Sequence, residues 1–412
     1  MANLAEWPGL NRAEEPLLEI PPPSSRLIKD EGKLSPDYVP SILPHREAQL
    51  EELARLFSGL LKPPSSLSVK VWLVGEVGSG KTATSKRFGH LLEREARRRG
   101  IDVRYVHVNC YKERTFFVIA KRLAQRIIPG LPERGFSAQE LLDMTWRALN
   151  DQDVHLVAAL DEVDYLVKAV GEGPLYALTR ACDERLNAPQ RLSLIMISRA
   201  HPSTYQLDAR VASTLCRGVI RFQPYTSAQL LSILKARVEE AFVEGAVSLE
   251  SINLIADLAG VDAQGTGDAR FALELLWWSA KLAEAKGLRR IDPDVVRAAY
   301  AQLNPSLSRE DLRSLSSHER LVLLAVARVL RRTGRAYAST GEVEREYVNL
   351  CRSLGEEPRK HVRLWLMAKR LSSAGFIHSK VVCGAGGRTT LMGLVGVEAS
   401  TLERLLTSSW RG

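Results

Sequence analysis

A chain of 412 residues is longer than one ordinary core supports, so two or three domains are expected. With 45% hydrophobic and 25% charged residues it has the composition of a soluble globular protein. The longest unbroken apolar run, 321–327, is far too short to cross a bilayer, and the N-terminal stretch lacks both the basic start and the apolar segment of an export signal, which excludes a membrane protein and predicts a cytoplasmic one. Cys110, Cys182, Cys216, Cys351 and Cys383 form no C-x-x-C pair, so neither a disulfide framework nor a zinc site is indicated. The net charge of +9 is unevenly placed: residues 305–412 hold 18 Lys and Arg against 10 Asp and Glu, a net +8, which suggests a C-terminal module for a polyanion.

In chain order, residues 1–35 combine a Pro21–Pro23 run with mixed charge and no periodicity, the composition of an extended arm. A helix is predicted over 46–61, with Leu50, Leu53, Ala54, Phe57 and Leu61 on one buried face. The stretch 71–82, VWLVGEVGSGKT, is a buried strand running into G-x-x-x-x-G-K-[ST] at Gly75, Gly80, Lys81 and Thr82. Glycine at Gly75, Gly78 and Gly80 lets the backbone N–H groups of Glu76, Val77, Ser79 and Ala83's turn converge on phosphate at the positive end of a helix. Lys81 is then placed to neutralise β- and γ-phosphate oxygens, and Thr82 to ligate Mg²⁺.

Five short apolar runs, at 70–74, 103–109, 154–160, 192–198 and 218–222, alternate with helical stretches, the pattern of an α/β fold with a parallel sheet. The third ends in HLVAALDE and delivers Asp161 and Glu162 to the carboxyl edge, where such folds bind ligands. Asp161 is expected to hold Mg²⁺ directly or through water, and Glu162 to polarise an attacking water; Asp164 is a candidate helix cap. From 226 to 303 strand signals stop and four helices follow, at 227–242, 249–258, 268–286 and 292–301, a small lid over the core. Arg270, just after the cap candidate Asp268, either reaches from the lid to the γ-phosphate or forms a surface ion pair.

The basic module reads as helices at 318–332, 340–354 and 358–374, then strands at 377–383 and 389–394 joined by GAGGR. In the third helix Leu364, Met367, Ala368 and Leu371 face the core, while Arg359, Arg363 and Arg370 project within about 40° of one another on the other side, as in a helix that enters the major groove. The hairpin tip presents Arg388 to phosphate or minor groove.

Taken together, YVPSILPHRE, GEVGSGKT, YVHVNC, LDEVDYL, LDARVASTL, IRFQPYTSAQLLSILKAR and GDARFALELL, in that order and followed by a winged-helix pattern, resemble the archaeal replication initiators related to the origin recognition complex and cell-division-control loader proteins, a branch of the AAA+ ATPases. The resemblance runs from about Tyr38 to the C-terminus. It implies an AAA+ P-loop core over 36–225, a helical lid over 226–304 and a winged-helix DNA-binding domain over 305–412, after an arm at 1–35. It implies ATP or ADP with Mg²⁺ as ligands, with Tyr38, Pro40, Leu43 and Arg46 wrapping the adenine, Lys81 and Thr82 in the phosphate loop, Asp161 and Glu162 as the acidic pair, and Arg270 sensing nucleotide. Arg210 resembles the arginine offered to a neighbour's ATP, the alternative being a structural salt bridge. The helix and loop at 115–137 match an insertion that touches DNA, made basic by Lys112, Lys121, Arg122, Arg126 and Arg134. The partners implied are double-stranded origin DNA, a replicative helicase, and a second copy or paralogue on DNA, with no membrane and a nucleoid-associated place in the cytoplasm. One position departs from the pattern: Arg199 stands where such proteins carry Asn, and because arginine cannot accept a hydrogen bond, slow hydrolysis is expected, with ATP as a switch; Ser198 is a partial substitute. A transcription regulator or signalling ATPase built on the same parts is the alternative reading.

Overall fold

The computed structural model describes residues 27–62, 68–132, 134–183, 189–205, 215, 218–263, 265–304, 309–384 and 387–408. Its first unit is a five-stranded sheet of β1 (Lys70–Gly75), β2 (Asp102–Asn109), β3 (Val154–Asp161), β4 (Leu192–Ser198) and β5 (Val219–Phe222), in the order β2-β3-β4-β1-β5. Every pairing is parallel. β3 and β4 are buried at all their positions, which is why they read as unbroken apolar runs rather than as alternation. Leu73, Val157, Ala159 and Ile195 pack on one face against Leu53 and Phe57 of α1 (Glu47–Phe57) and Phe88 and Leu92 of α2 (Lys81–Arg98). Trp72, Leu156, Ala158 and Met196 face the other way, against Ile119 and Leu123 of α3 (Phe116–Ile127) and Leu141 and Leu149 of α4 (Ala138–Asp151). Two further helices, α5 (Val163–Val170) and α6 (Gly173–Asp183), follow β3.

The second unit is α7 (Ser227–Ala241), α8 (Leu249–Ala259), α9 (Ala269–Ala285) and α10 (Pro293–Leu303), close to the four predicted helices. Its core also takes in Leu27, Ile28 and Leu34 from the segment that composition assigned to the arm. Ile28 bridges to Phe242, the Trp277 indole N–H donates to Glu31 (2.7 Å), and the Arg237 guanidinium donates to the Lys33 carbonyl (2.6 Å). Residues 27–38 are therefore a strap that crosses the lid towards α1; residues 1–26 lie outside the described residues.

The third unit opens with α11 (Arg309–Ser314) and α12 (Ser317–Thr333), continues through β6 (Ala338–Ser339), α13 (Thr340–Leu354), α14 (His361–Ser373), β7 (Ile377–Gly384) and β8 (Gly387–Leu394), and closes with α15 (Ala399–Ser408). The antiparallel sheet runs β6-β8-β7. α12 is the central helix, buried from Leu321 to Ala327 and again at Val329 and Leu330, and α15 covers it with Leu402 and Leu406. Among the described residues no helix is long and apolar enough to cross a membrane.

A capping box starts α13: the Ser339 backbone N–H and hydroxyl donate to Glu342 at 2.8 and 2.7 Å. Those bonds, the backbone one foremost, and the Arg335 guanidinium hold the Glu342 carboxyl down at about 2. A carboxylate with a lowered folded value stabilises above its unfolded value and loses that contribution as pH falls. Glu342→Ala should therefore cost about 1 kcal/mol at neutral pH, and the gap to wild type in denaturant titrations should close as pH falls from about 4.5 towards 2. A gap that stays constant over that window would contradict the charged cap.

The lid and the winged-helix unit are joined by buried and partly buried polar contacts. Asp257 of α8 accepts from the Tyr337 hydroxyl and from the Lys380 ammonium, both at 2.6 Å. Arg297 of α10, wholly buried, donates to the Ala336 carbonyl at 2.8 Å, and the Ala336 N–H donates to Glu250 at 2.9 Å.

Candidate nucleotide site and nucleic-acid face

β1 ends at Gly75, and the loop to α2 bends through left-handed residues at Gly78 (φ 69°) and Gly80 (φ 87°). Glycine at Gly78 is a matter of space as well: a Cβ there would fall 1.6 Å from the Asp268 carboxylate that caps α9. The Ala269 N–H donates to the Gly78 carbonyl at 3.2 Å, so the lid's third helix starts on the phosphate loop itself. Lys81 sits inside the loop and donates to the carbonyls of Gly75 and Glu76, both at 2.7 Å. Burial lowers its ammonium to about 8 against the opposing pull of Asp161 and Glu76. A phosphate anion beside it would restore the charge.

At the carboxyl edge of β3 the Thr82 hydroxyl donates to Asp161 Oδ2 at 2.7 Å, His107 Nε2 of β2 lies 3.1 Å from the same oxygen, and the Glu162 N–H donates to Oδ1 at 2.9 Å. Burial opposes the charge on Asp161, but the bonds from His107 and Thr82 outweigh it and hold the carboxyl below its usual range. One hydroxyl and one carboxylate in contact are hard oxygen donors of the kind Mg²⁺ takes beside phosphates, so the residues fit that ion. Glu162 adopts left-handed backbone (φ 57°, ψ 43°), a conformation that costs a non-glycine residue energy and is held here by the surrounding strand and helix.

These groups line one cleft of about 1320 Å³. The strap and the residues that follow it supply Tyr38, Pro40 and Leu43; the loop supplies Val77, Gly78, Gly80, Lys81, Thr82 and Ala83; Asp161, Glu162, Arg199 and Arg270 also line it. Most of the residues expected around a nucleotide thus line one cleft, and the others are placed as follows. Gly75, Glu76 and Ser79 carry the loop without lining the cleft; Ser79 is buried, its hydroxyl donating to the Glu76 carbonyl at 2.7 Å. Arg46, expected at the adenine, lies beneath the loop: its guanidinium donates to the Ser79 carbonyl (2.9 Å) and the Gln223 carbonyl (2.8 Å) and stacks 3.9 Å over Tyr225. The Ser198 hydroxyl is committed to the Ala200 carbonyl at 2.8 Å, and Arg210 falls outside the described residues. His107 was not singled out as a site residue; the signal was its place near the end of β2, two residues before Asn109, which registers against Asp161.

The basic face differs more. Pro358 does not open the third helix: α14 starts at His361, with Lys360 as its N-cap, so Arg359 precedes the helix and its guanidinium donates to His318 at 3.2 Å. Arg370 pairs with Glu319 at 3.3 Å. Arg363 is exposed, and Arg388, opposite Cys383 in the hairpin, is exposed too. On α3, Arg122 pairs with Glu113 (3.1 Å), Arg126 pairs with Glu93 (2.7 Å), and Lys121 is half-buried. The exposed Val362, Trp365 and Leu366 on α14 were not anticipated.

Comparison with known families places these units. The chain matches the AAA domain over residues 71–201, the Cdc6 AAA+ ATPase-type lid domain over 231–301, and the CDC6 C terminal winged helix domain over 310–403. It is 36% identical over 392 residues to "ORC1-type DNA replication protein 2" of Sulfurisphaera tokodaii, covering 94% of each chain, and 37% identical over 372 residues to the protein of that name from Saccharolobus solfataricus, covering 89% of this chain and 90% of that one. Among solved structures it resembles Cdc6p from Pyrobaculum aerophilum, with a TM-score of 0.79 and 29% identity over 93% of this chain and 98% of that one. It also resembles the Aeropyrum pernix ORC1 protein in complex with DNA, with a TM-score of 0.60 and 32% identity over 93% and 97%. With three matched domains in order and such identity along nearly its whole length, the chain belongs to the ORC1-type family of DNA replication proteins.

Proposed function

We propose that this chain is an ATP-dependent initiator that binds double-stranded origin DNA and helps recruit the replicative helicase, with nucleotide as a switch. The observation that carries the reading is the joining, in one chain, of a phosphate-loop cleft closed by the lid to a winged helix that holds nearly all the net positive charge. The likeness to a relative solved in complex with DNA supports it. Within 36–225, 226–304 and 305–412 the roles divide as core, lid and DNA-binding domain. Lys81 would hold the β- and γ-phosphates, Thr82 and Asp161 would hold Mg²⁺, Glu162 would orient water, and Arg270 would sense the γ-phosphate. Bound Mg²⁺ supplies charge neutralisation at the phosphates.

Genome-wide footprinting with ATP bound tests the reading: protection concentrated at replication start regions supports it, and protection scattered upstream of operons favours a transcription regulator. Gel shifts of the full chain should show affinity falling steeply with salt. Arg388→Ala should weaken all duplexes alike and reduce the salt slope by about one, as a phosphate contact does; an unchanged slope would remove Arg388 from the interface.

Arg199 faces the cleft at the end of β4 and offers the lytic water no acceptor, while the Ser198 hydroxyl spends its proton on the Ala200 carbonyl and keeps only its oxygen lone pairs to accept. Arg199→Asn is expected to raise the hydrolysis rate severalfold in single-turnover assays, within the roughly hundredfold that one well-placed polar group contributes. A rate that stays the same or drops would mean that the water is positioned elsewhere.

A further inference from the structure

The outward pole of α14 is apolar. Leu364, Ala368 and Leu371 are buried, while Val362 is 68% exposed, Leu366 47% and Trp365 39%. At 100° per residue, Val362 and Leu366 lie within roughly 30° of the direction pointing away from the core, whereas Arg363, Arg370 and Lys369 stand roughly 45–75° to either side. Arg370 is drawn towards α12 by Glu319, and Lys369 lies over the Trp365 ring with its ammonium 4.1 Å from the centroid. The cations form a rim, and the centre of the face is a ridge of two aliphatic side chains.

Such a ridge needs an occupant that is apolar at its centre and anionic at its edges. The major groove of duplex DNA has that arrangement: it admits a helix, its walls are phosphates, and thymine is the base whose edge there carries a methyl group. The charge of the C-terminal module, net +8 over 305–412, selects a polyanion over a neutral apolar surface. We propose that Val362 and Leu366 pack against thymine C5-methyl groups in the major groove, so that the placement of thymines is a determinant of this chain's DNA preference. The inference rests on the DNA-binding reading above and goes beyond it by assigning base discrimination to aliphatic contacts, with the arginines as a phosphate-facing rim.

Uracil differs from thymine only by that methyl group, which makes the test direct. Full-length protein with ATP is titrated with an alternating A·T duplex, the same duplex with every thymine replaced by uracil, an alternating G·C duplex, and its 5-methylcytosine counterpart, each at several salt concentrations. The thymine duplex should bind more tightly than the uracil duplex by about fourfold per methyl group buried, and cytosine methylation should tighten the G·C duplex by a similar factor. Val362→Ala with Leu366→Ala should erase both differences and keep the salt slope. Lys369→Ala should weaken all four duplexes and keep the differences. Equal binding of thymine and uracil duplexes by wild type, with normal salt dependence, overturns the inference and leaves the ridge to a protein partner. Absence of salt-dependent binding to any duplex overturns the DNA-binding reading itself, and this inference with it.

Discussion

Lys81→Ala is expected to bind ATP at least roughly a hundredfold more weakly than wild type, whereas Glu162→Gln binds it normally and fails to turn it over. Lys81 reaches the inside of the loop and satisfies two backbone carbonyls at 2.7 Å, so its ammonium is held where phosphate oxygens would converge. Charge-assisted bonds contribute about 1.5–3 kcal/mol each, and the loss of two accounts for the factor. Glu162 lines the same cleft from the end of β3, apart from the loop that cradles phosphate. Equal loss of binding in both variants, measured by calorimetry, would contradict the division of labour. The lowered Lys81 ammonium adds a signature. Above about 8 the free site is losing its proton, and phosphate favours the protonated form. Binding should then take up a proton, and affinity should decline as pH rises past that point. Calorimetry in buffers of different ionisation enthalpy reads the proton directly.

What the sequence made legible was whatever depends on local pattern. The phosphate loop, the acidic strand end and the buried strands are short stretches whose chemistry dictates their residues, and they stand where predicted. The lid helices were readable from periodicity. The failures are all tertiary. Arg46 looked like a ligand residue because it follows the strap, yet the groups that claim it, the Ser79 and Gln223 carbonyls, are 33 and 177 residues away. Leu27 and Ile28 were hidden in proline-rich composition, because nothing local says that Phe242 will pair with Ile28. Helix α14 starts three residues later than its sequence suggests: Pro358 reads as a first-turn proline, but Arg359 and Lys360 stay outside the helix, and the Arg359 N–H is bonded to the Tyr347 hydroxyl at 3.2 Å. That slip removed Arg359 from the helix face, and pairing with Glu319 turned Arg370 aside. The spacing of the arginines says nothing of the aliphatic pole that Val362 and Leu366 form between them.

The joint between lid and winged helix is the other feature that no local pattern announces, and it carries the second large effect. Asp257 of α8 is nearly buried and accepts two bonds of 2.6 Å, from the Tyr337 hydroxyl and the Lys380 ammonium, with Lys380 also 4.2 Å from the Tyr337 ring. Burial and the neighbouring Asp257 push the Tyr337 hydroxyl well above its ordinary value, so it stays a neutral donor throughout the working range of pH. Asp257→Ala leaves that buried hydroxyl unsatisfied and Lys380 without its counter-charge. Breaking a fully buried pair costs about 3–5 kcal/mol; Lys380 keeps about a third of its side chain in solvent, so roughly 2–3 kcal/mol is expected here. Because the cost falls on the joint rather than on either core, calorimetry should show the winged helix melting separately from the lid. Lys380→Met in the Asp257→Ala background removes the orphaned charge and should recover part of the loss, the signature of a coupled pair. If Asp257→Ala melts with an undiminished single transition, the two units are held by their apolar contacts and by the other polar ones, among them the Arg297 bond to the Ala336 carbonyl and the Ala336 N–H bond to Glu250, which would then be the next groups to remove.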